Sequence, residues 1–314
     1  MNTHSLIEIS LSGLDEAAAE SVLGLFDRWG RGGAVVEQVL GKDAGSSVKT
    51  YLFPEDDHAL RQIEAGLALL DHTCKTSGQA DAPPLQPLPT PRIRFLAETD
   101  WAEAWKAGYH VLRVGRRLVI KPTWRDYTPQ PDDLIIELDP GMAFGSGLHP
   151  TTQLCLETIE DYLPPGANVL DVGAGSGILA IAAARLGASR VLALDTDPLA
   201  VRIARENVAL NQLEAIIQVE EGTVQIANSQ SLNPNLMVVN ILAETIVELA
   251  PALAANLSPG GILVASGIIQ DRAQAVLASL HTCGLSLVER RTDGEWVALI
   301  AQKTTEDQFP GRAQ

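Results

Sequence analysis

The densest run of chemistry-bearing residues is Asn168-Val-Leu-Asp171-Val-Gly173-Ala-Gly175-Ser-Gly177-Ile178. An apolar run ends in a carboxylate, three glycines alternate, and an aliphatic stretch follows. That order predicts a buried parallel strand, a tight turn and a helix opening at Ile178. Glycine tolerates the backbone angles of such a turn and lets a ligand lie against the main chain. A dinucleotide fingerprint carries a third glycine or alanine three residues after the second. Ile178 stands there instead, which argues against a pyrophosphate-binding turn. Asp171 before the glycines, and Asp195 about 20 residues beyond them, suit a cationic ligand carrying a ribose. S-adenosylmethionine meets both demands.

A second informative loop is Asp139-Pro-Gly-Met-Ala-Phe144-Gly145-Ser146-Gly147-Leu-His149-Pro150-Thr151-Thr152. Glycines around Phe144 predict a flexible lip over a ligand. Pro150 suits the first turn of a helix running to Tyr162, where the hydroxyls of Thr151 and Thr152 meet free amides. His149 reads as a proton acceptor or, more simply, as a structural hydrogen-bonding group beside the turn.

These residues need elements to hold them. From Asn168 the chain alternates strand and helix. Strands are expected at 168–172, 190–195, 216–220, 236–240 and 261–266. Helices are expected at 178–186, 198–210, 244–255 and 270–283. A closing pair of strands, Leu285 to Arg291 and Trp296 to Gln302, flanks the short turn Thr292-Asp-Gly294-Glu. This is a doubly wound α/β sheet ending in an antiparallel hairpin, and ligands of such sheets sit at the strand carboxyl ends. Gly173, Asp195 and Asn240 all fall there.

The first hundred residues read as β-α-β-β-α-β, a ferredoxin-like α+β order. Strands are expected at 5–10, 34–40, 48–53 and 92–97. One helix is capped by Asp15 and the other runs from Asp57 to Leu70. Ala82 to Pro91 is proline-rich and expected to be extended. Trp101 and Trp105 stand at i and i+4 on one helix face. They either dock the front domain against the back one or fill a core gap. His58 and His72 read as helix-surface residues, and no catalytic cluster is visible in this region.

Bulk properties exclude several classes. The chain has 314 residues, 46% hydrophobic and 20% charged, which supports one large or two ordinary domains. Its formal charge of −16 disfavours nucleic-acid binding, because Lys and Arg make most phosphate contacts. The same charge would attract a basic partner, or simply keep the surface soluble. Cys74, Cys155 and Cys283 lack metal-ligand spacing and read as buried apolar residues of a reduced compartment. No apolar run reaches a membrane span and no signal peptide is visible, so a cytoplasmic protein is expected.

Several of these stretches together resemble the ribosomal protein L11 methyltransferase family. They are Asp100 to Trp105, Trp124-Arg-Asp126, Asp139-Pro-Gly, Phe144 to Thr152, Asp171 to Gly177 and Asn240-Ile-Leu-Ala243. Ser146 stands where family members typically carry threonine, and the hydroxyl is kept. The resemblance implies a class I methyltransferase sheet, S-adenosylmethionine as cofactor, and amino groups of a basic large-subunit ribosomal protein as substrate. It implies Thr152, Gly173, Asp195 and Asn240 as cofactor-binding positions, with Gly175 also giving the backbone room. Asn240 is in addition the expected catalytic residue, orienting the amine. Nucleic-acid amino-methyltransferases carry an acidic or amide residue there, then two prolines and an aromatic that stacks a base. Ile241 and Leu242 offer no ring, so a flexible aliphatic amine fits better.

The expected domains are a ferredoxin-like recognition domain at 1–97, a helical linker at 98–122, the methyltransferase domain at 123–304 and a tail at 305–314. No metal, direct nucleic-acid contact or membrane partner is expected. Three rivals stand against this reading: a nicotinamide oxidoreductase, a nucleic-acid amino-methyltransferase, and a protein that binds S-adenosylmethionine without catalysis.

Overall fold

The computed structural model describes residues 5–30, 34–39, 45–52, 56–76, 88–97, 109–139, 145–225 and 232–304. Asp100, Trp101, Trp105, Phe144, most of the proline-rich stretch and the 305–314 tail lie outside the described residues. The chain forms two compact units, Met1–Tyr109 and His110–Gln314.

The first unit contains β1 (Ser5–Leu14), α1 (Glu16–Trp29), β2 (Ala34–Val39), β3 (Gly45–Leu52), α2 (Asp57–Thr76) and β4 (Arg92–Ala97). Its sheet has the order β2-β3-β1-β4 with every pairing antiparallel, which is the ferredoxin-like arrangement. Asp15 caps α1 by accepting the Ala18 amide at 2.8 Å, satisfying one of the free amides of the first turn. Ile7, Ile9 and Leu11 alternate along β1 and join Val22 and Phe26 of α1 and Ile63 of α2 in one buried core. Period two on the strand and periods three and four on the helices put these side chains on facing surfaces. Burying each contributes about 1.5–3 kcal/mol.

The second unit opens with β5 (Leu112–Val114), β6 (Leu118–Pro122) and β7 (Leu134–Leu138), a three-stranded sheet. This corrects the helical linker expected at 98–122: residues 112–122 form an antiparallel hairpin around Gly115, whose φ is +63°. Leu118, Val119 and Ile120 are nearly fully buried, and short aliphatic runs flanking a glycine suit strand pairing better than a helix. The unit therefore begins at His110, earlier than the expected position 123.

Next come α3 (Pro150–Tyr162), β8 (Asn168–Val172), α4 (Ile178–Arg185), β9 (Arg190–Asp195), α5 (Pro198–Leu210), β10 (Ile217–Glu221) and β11 (Leu236–Asn240). The chain closes with α6 (Ala243–Asn256), β12 (Ile262–Ile269), α7 (Gln270–Thr282), β13 (Leu285–Asp293) and β14 (Trp296–Lys303). The seven-stranded sheet has the order β10-β9-β8-β11-β12-β14-β13. Five strands are parallel and β14 is antiparallel to both neighbours. One core joins α3, α4 and α5 with the small sheet, and the other joins α6 and α7. A parallel sheet needs cover on both faces, and these two layers supply it. Cys155 is buried, whereas Cys283 is only partly so, against expectation. Among the described residues no helix is long and apolar enough to cross a membrane.

Candidate functional site

Parallel pairing brings three strand ends to one edge of the sheet. Val172 is opposite both Leu194 and Val239 in register, so Gly173, Asp195 and Asn240 leave the sheet side by side. The glycine turn is held by the next strand: the Gly173 and Ala174 amides donate to Leu194 O at 2.8 and 3.0 Å. Gly173, Gly175 and Gly177 have φ of +78°, +54° and +82°, the left-handed region where side chains are strained. A Cβ at Gly173 would lie 2.4 Å from Ile241 Cγ2. This glycine thus makes room for a side chain of the protein itself, a reason not visible in the sequence.

Asp195 ties the turn to its own strand end. Its Oδ2 accepts the Gly175 amide at 2.8 Å and its Oδ1 accepts the Asp197 amide at 2.9 Å. Each carboxylate oxygen has a second lone pair, so the group can hold the turn and still accept hydrogens from a ligand. Thr152 lies in the first turn of α3, 1% exposed, and its Oγ1 is buried without a partner. Asn240 Oδ1 is likewise buried without a partner. The two belong to adjoining elements. Ser266, the register partner of Asn240, donates through its hydroxyl to Thr151 O at 3.4 Å. Buried polar atoms nearly always have a partner. Among the described residues Asp171 Oδ1 and Arg185 Nε also lack one, but Thr152 and Asn240 are the two that adjoin the strand ends, where a ligand could supply it.

Asp171 sits inside the sheet, 1% exposed, one strand position before Val172. Its Oδ2 accepts the Ala180 amide at 3.1 Å, placing the carboxyl at the positive end of α4. Burial, and secondly the charge of Asp195, push its pKa from 3.8 up to about 7. The folded protein therefore keeps a proton that the unfolded chain releases. Asp171's contribution to stability is full below pH 3.8 and is lost as pH rises toward about 7. Thermal unfolding at about pH 4 and about pH 7 should show this as a fall that Asp171→Asn lacks, because the amide keeps the hydrogen bond and cannot titrate. Parallel pH curves for the two proteins would contradict it.

His149 is the N-cap of α3. Its Nδ1 accepts the Thr151 amide at 3.3 Å and lies 2.7 Å from Thr151 Oγ1, which assigns the neutral ring hydrogen to Nε2. The ring meets Trp296 edge-on at 4.7 Å, and burial lowers its pKa to about 4. The structural reading of this histidine is the one observed.

Two supports escaped the sequence reading. Ser176 Oγ donates to Gly145 O at 2.6 Å, fastening the loop before α3 to the glycine turn. Asn207 of α5 donates to Ser176 O at 2.8 Å and accepts the Asp139 amide at 3.0 Å. Asn211 repeats the device one turn later, exchanging hydrogen bonds with the Glu137 backbone. The available signal was two asparagines at i and i+4 on a helix, a spacing that puts both on one face. A cavity of about 540 Å³ lies at the other end of α4, lined by Lys121, Tyr127, Glu137, Arg185 and Asn211 among others, and it contains none of the expected site residues.

The arrangement has close relatives. The family model for ribosomal protein L11 methyltransferases matches residues 6–304. A protein of that name from Chloroflexus aurantiacus is 43% identical over 96% of this chain and 99% of its own length. Its namesake from Heliobacterium modesticaldum is 51% identical over 82% of this chain and 78% of its own length. The crystal structure of a ribosomal protein L11 methylase from Lactobacillus delbrueckii subsp. bulgaricus aligns at 38% identity with a TM-score of 0.57. That alignment covers 63% of this chain and 100% of the other. With its glycine turn, strand-end carboxylate and strand-end asparagine at one sheet edge, the chain belongs to the ribosomal protein L11 methyltransferase family.

Proposed function

We propose that the chain transfers methyl groups from S-adenosylmethionine to amino groups of ribosomal protein L11. Lysine side chains are the main target, and the N-terminal amine is a second target of the same chemistry. The observation that supports the site most directly is the two buried oxygens without a partner, Thr152 Oγ1 in the first turn of α3 and Asn240 Oδ1 at the carboxyl end of β11.

The cofactor, when bound, supplies a methyl group activated by a positively charged sulfur. The residues of the chain fit such a ligand. Asp195 offers acceptors for a ribose, the backbone at Gly173 and Gly175 a close approach, and Thr152 and Asn240 unmet hydrogen-bonding capacity. Among the described residues no cluster of His, Cys, Asp or Glu could hold a metal ion, and the residues here have a different task. They hold donor and amine in line, which is the main source of rate in a displacement of this kind. Only a neutral amine attacks, so the lysine must lose its proton, and desolvation in the crevice favours that form. Asn240 is the group proposed to accept a hydrogen from the amine, since its amide oxygen is buried without a partner. Residues 1–97 are proposed to recognise the protein substrate, since they have a fold of their own and no catalytic cluster. The charge of −16 would draw a basic substrate toward the enzyme.

Titration calorimetry tests the cofactor assignment. S-adenosylmethionine and its demethylated product should bind, and NAD should give no heat. Asp195→Ala should weaken cofactor binding by about 1.5–3 kcal/mol for each charged hydrogen bond lost. Tight NAD binding would overturn the assignment.

A further inference from the structure

The carboxyl end of β12 is irregular beside the crevice. Ala265 pairs with Leu299 and Ile268 with Val297, so three steps on β12 match two on β14. Ser266 and Gly267 occupy that bulge, and Gly267 has a φ of +83°. A Cβ at Gly267 would lie 2.2 Å from Ile241 O, 2.8 Å from its carbonyl carbon and 3.0 Å from its nitrogen. These are main-chain atoms, which cannot rotate aside. On the other side of β11, at the end of β8, Gly173 leaves the space filled by Ile241 Cγ2. Ile241 is therefore gripped twice, by its side chain at Gly173 and by its peptide at Gly267.

Ile241 also packs against the core that joins α6 and α7. Ile241 is only partly buried, Leu242 is 69% exposed, and α6 begins after Leu242 without a side-chain cap. Bulges beside active sites commonly re-aim a neighbouring side chain. Here the bulge lies opposite Asn240, whose register partner is Ser266.

We propose that Gly267 is a positioning residue for methyl transfer, fixing Asn240 at the crevice through the gripped peptide of Ile241. The proposal rests on the assignment of Asn240 to the transfer step. Because the contact is with backbone, any side chain at 267 must displace the peptide next to Asn240.

Single-turnover methylation of ribosomal protein L11 by the full chain, at saturating S-adenosylmethionine, tests it. Gly267→Ala should slow transfer by about 100-fold, the cost of misplacing reacting groups by about an ångström. Cofactor affinity should stay within about threefold of the unmodified value, because Gly267 acts on orientation. In an Asn240→Ala background the same substitution should cost almost nothing, since the two act through one group. Additive losses in the double variant, or an unmodified rate in Gly267→Ala, overturn the proposal. If Gly267→Ala does not fold, Ile241→Ala decides, because it loosens the grip without adding a clash. It should lower turnover while keeping cofactor affinity, and an unmodified rate overturns the proposal. Full activity in Asn240→Ala alone would instead refute the role given to Asn240.

Discussion

Asn240→Ala should lower the single-turnover rate of methyl transfer by about 100-fold at saturating cofactor, with a much smaller change in cofactor affinity. Asn240 ends β11 at the sheet edge shared with Gly173 and Asp195, and its Oδ1 is buried without a partner. Removing the amide leaves the attacking amine free to rotate, and orientation matters most in the transition state. Asn240→Asp separates shape from charge. It keeps the outline but sets a carboxylate beside the amine, which favours the protonated, unreactive form. Its rate should therefore recover as pH rises, whereas that of Asn240→Ala should not. A pre-steady-state assay that separates binding from transfer reads both effects. Should Asn240→Ala transfer at the unmodified rate once cofactor saturates, Asn240 is a binding residue only.

A chain shortened to begin near Glu98 should still bind S-adenosylmethionine yet lose methylation of ribosomal protein L11 by at least about 100-fold. Both cores that flank the seven-stranded sheet are built, among the described residues, from the second unit. Every residue proposed for cofactor binding lies there too. The first unit has a core of its own and none of the residues proposed for cofactor binding, which is the ground for proposing that it recognises the substrate. Calorimetry reports whether the shortened chain retains its cofactor, and a gel assay with labelled methyl groups reports the loss. Undiminished methylation would place recognition in the second unit.

Much of this was legible in the residues, and the reasons are physical. Leu236 to Asn240 is bounded as expected, because a continuous apolar run ending in a polar residue has few alternatives inside a parallel sheet. The start of α5 at Pro198 and the cap at Asp15 were equally readable, since proline and aspartate act locally at helix starts. Residues 111–121 read in the sequence as two short apolar stretches around the Gly115-Arg116-Arg117 turn within a linker, because each strand is short and only pairing with β7 makes the hairpin worth forming. The grip on Ile241 was invisible for a related reason. It depends on Gly173, Ile241 and Gly267 meeting across three strands, and no local pattern encodes that register. Ser176 reads as one more small residue in a glycine turn until Gly145 is seen accepting its hydroxyl.

The most direct measurement is incubation of the full chain with methyl-labelled S-adenosylmethionine and purified ribosomal protein L11, followed by identification of the labelled residues by mass spectrometry. Label on lysine side-chain amines, with the N-terminal amine as a further acceptor, is the result the proposed function predicts, since Ile241 and Leu242 after Asn240 offer no ring to stack a base. Cofactor that binds but leaves ribosomal protein L11 unlabelled, or label confined to RNA, would contradict the account.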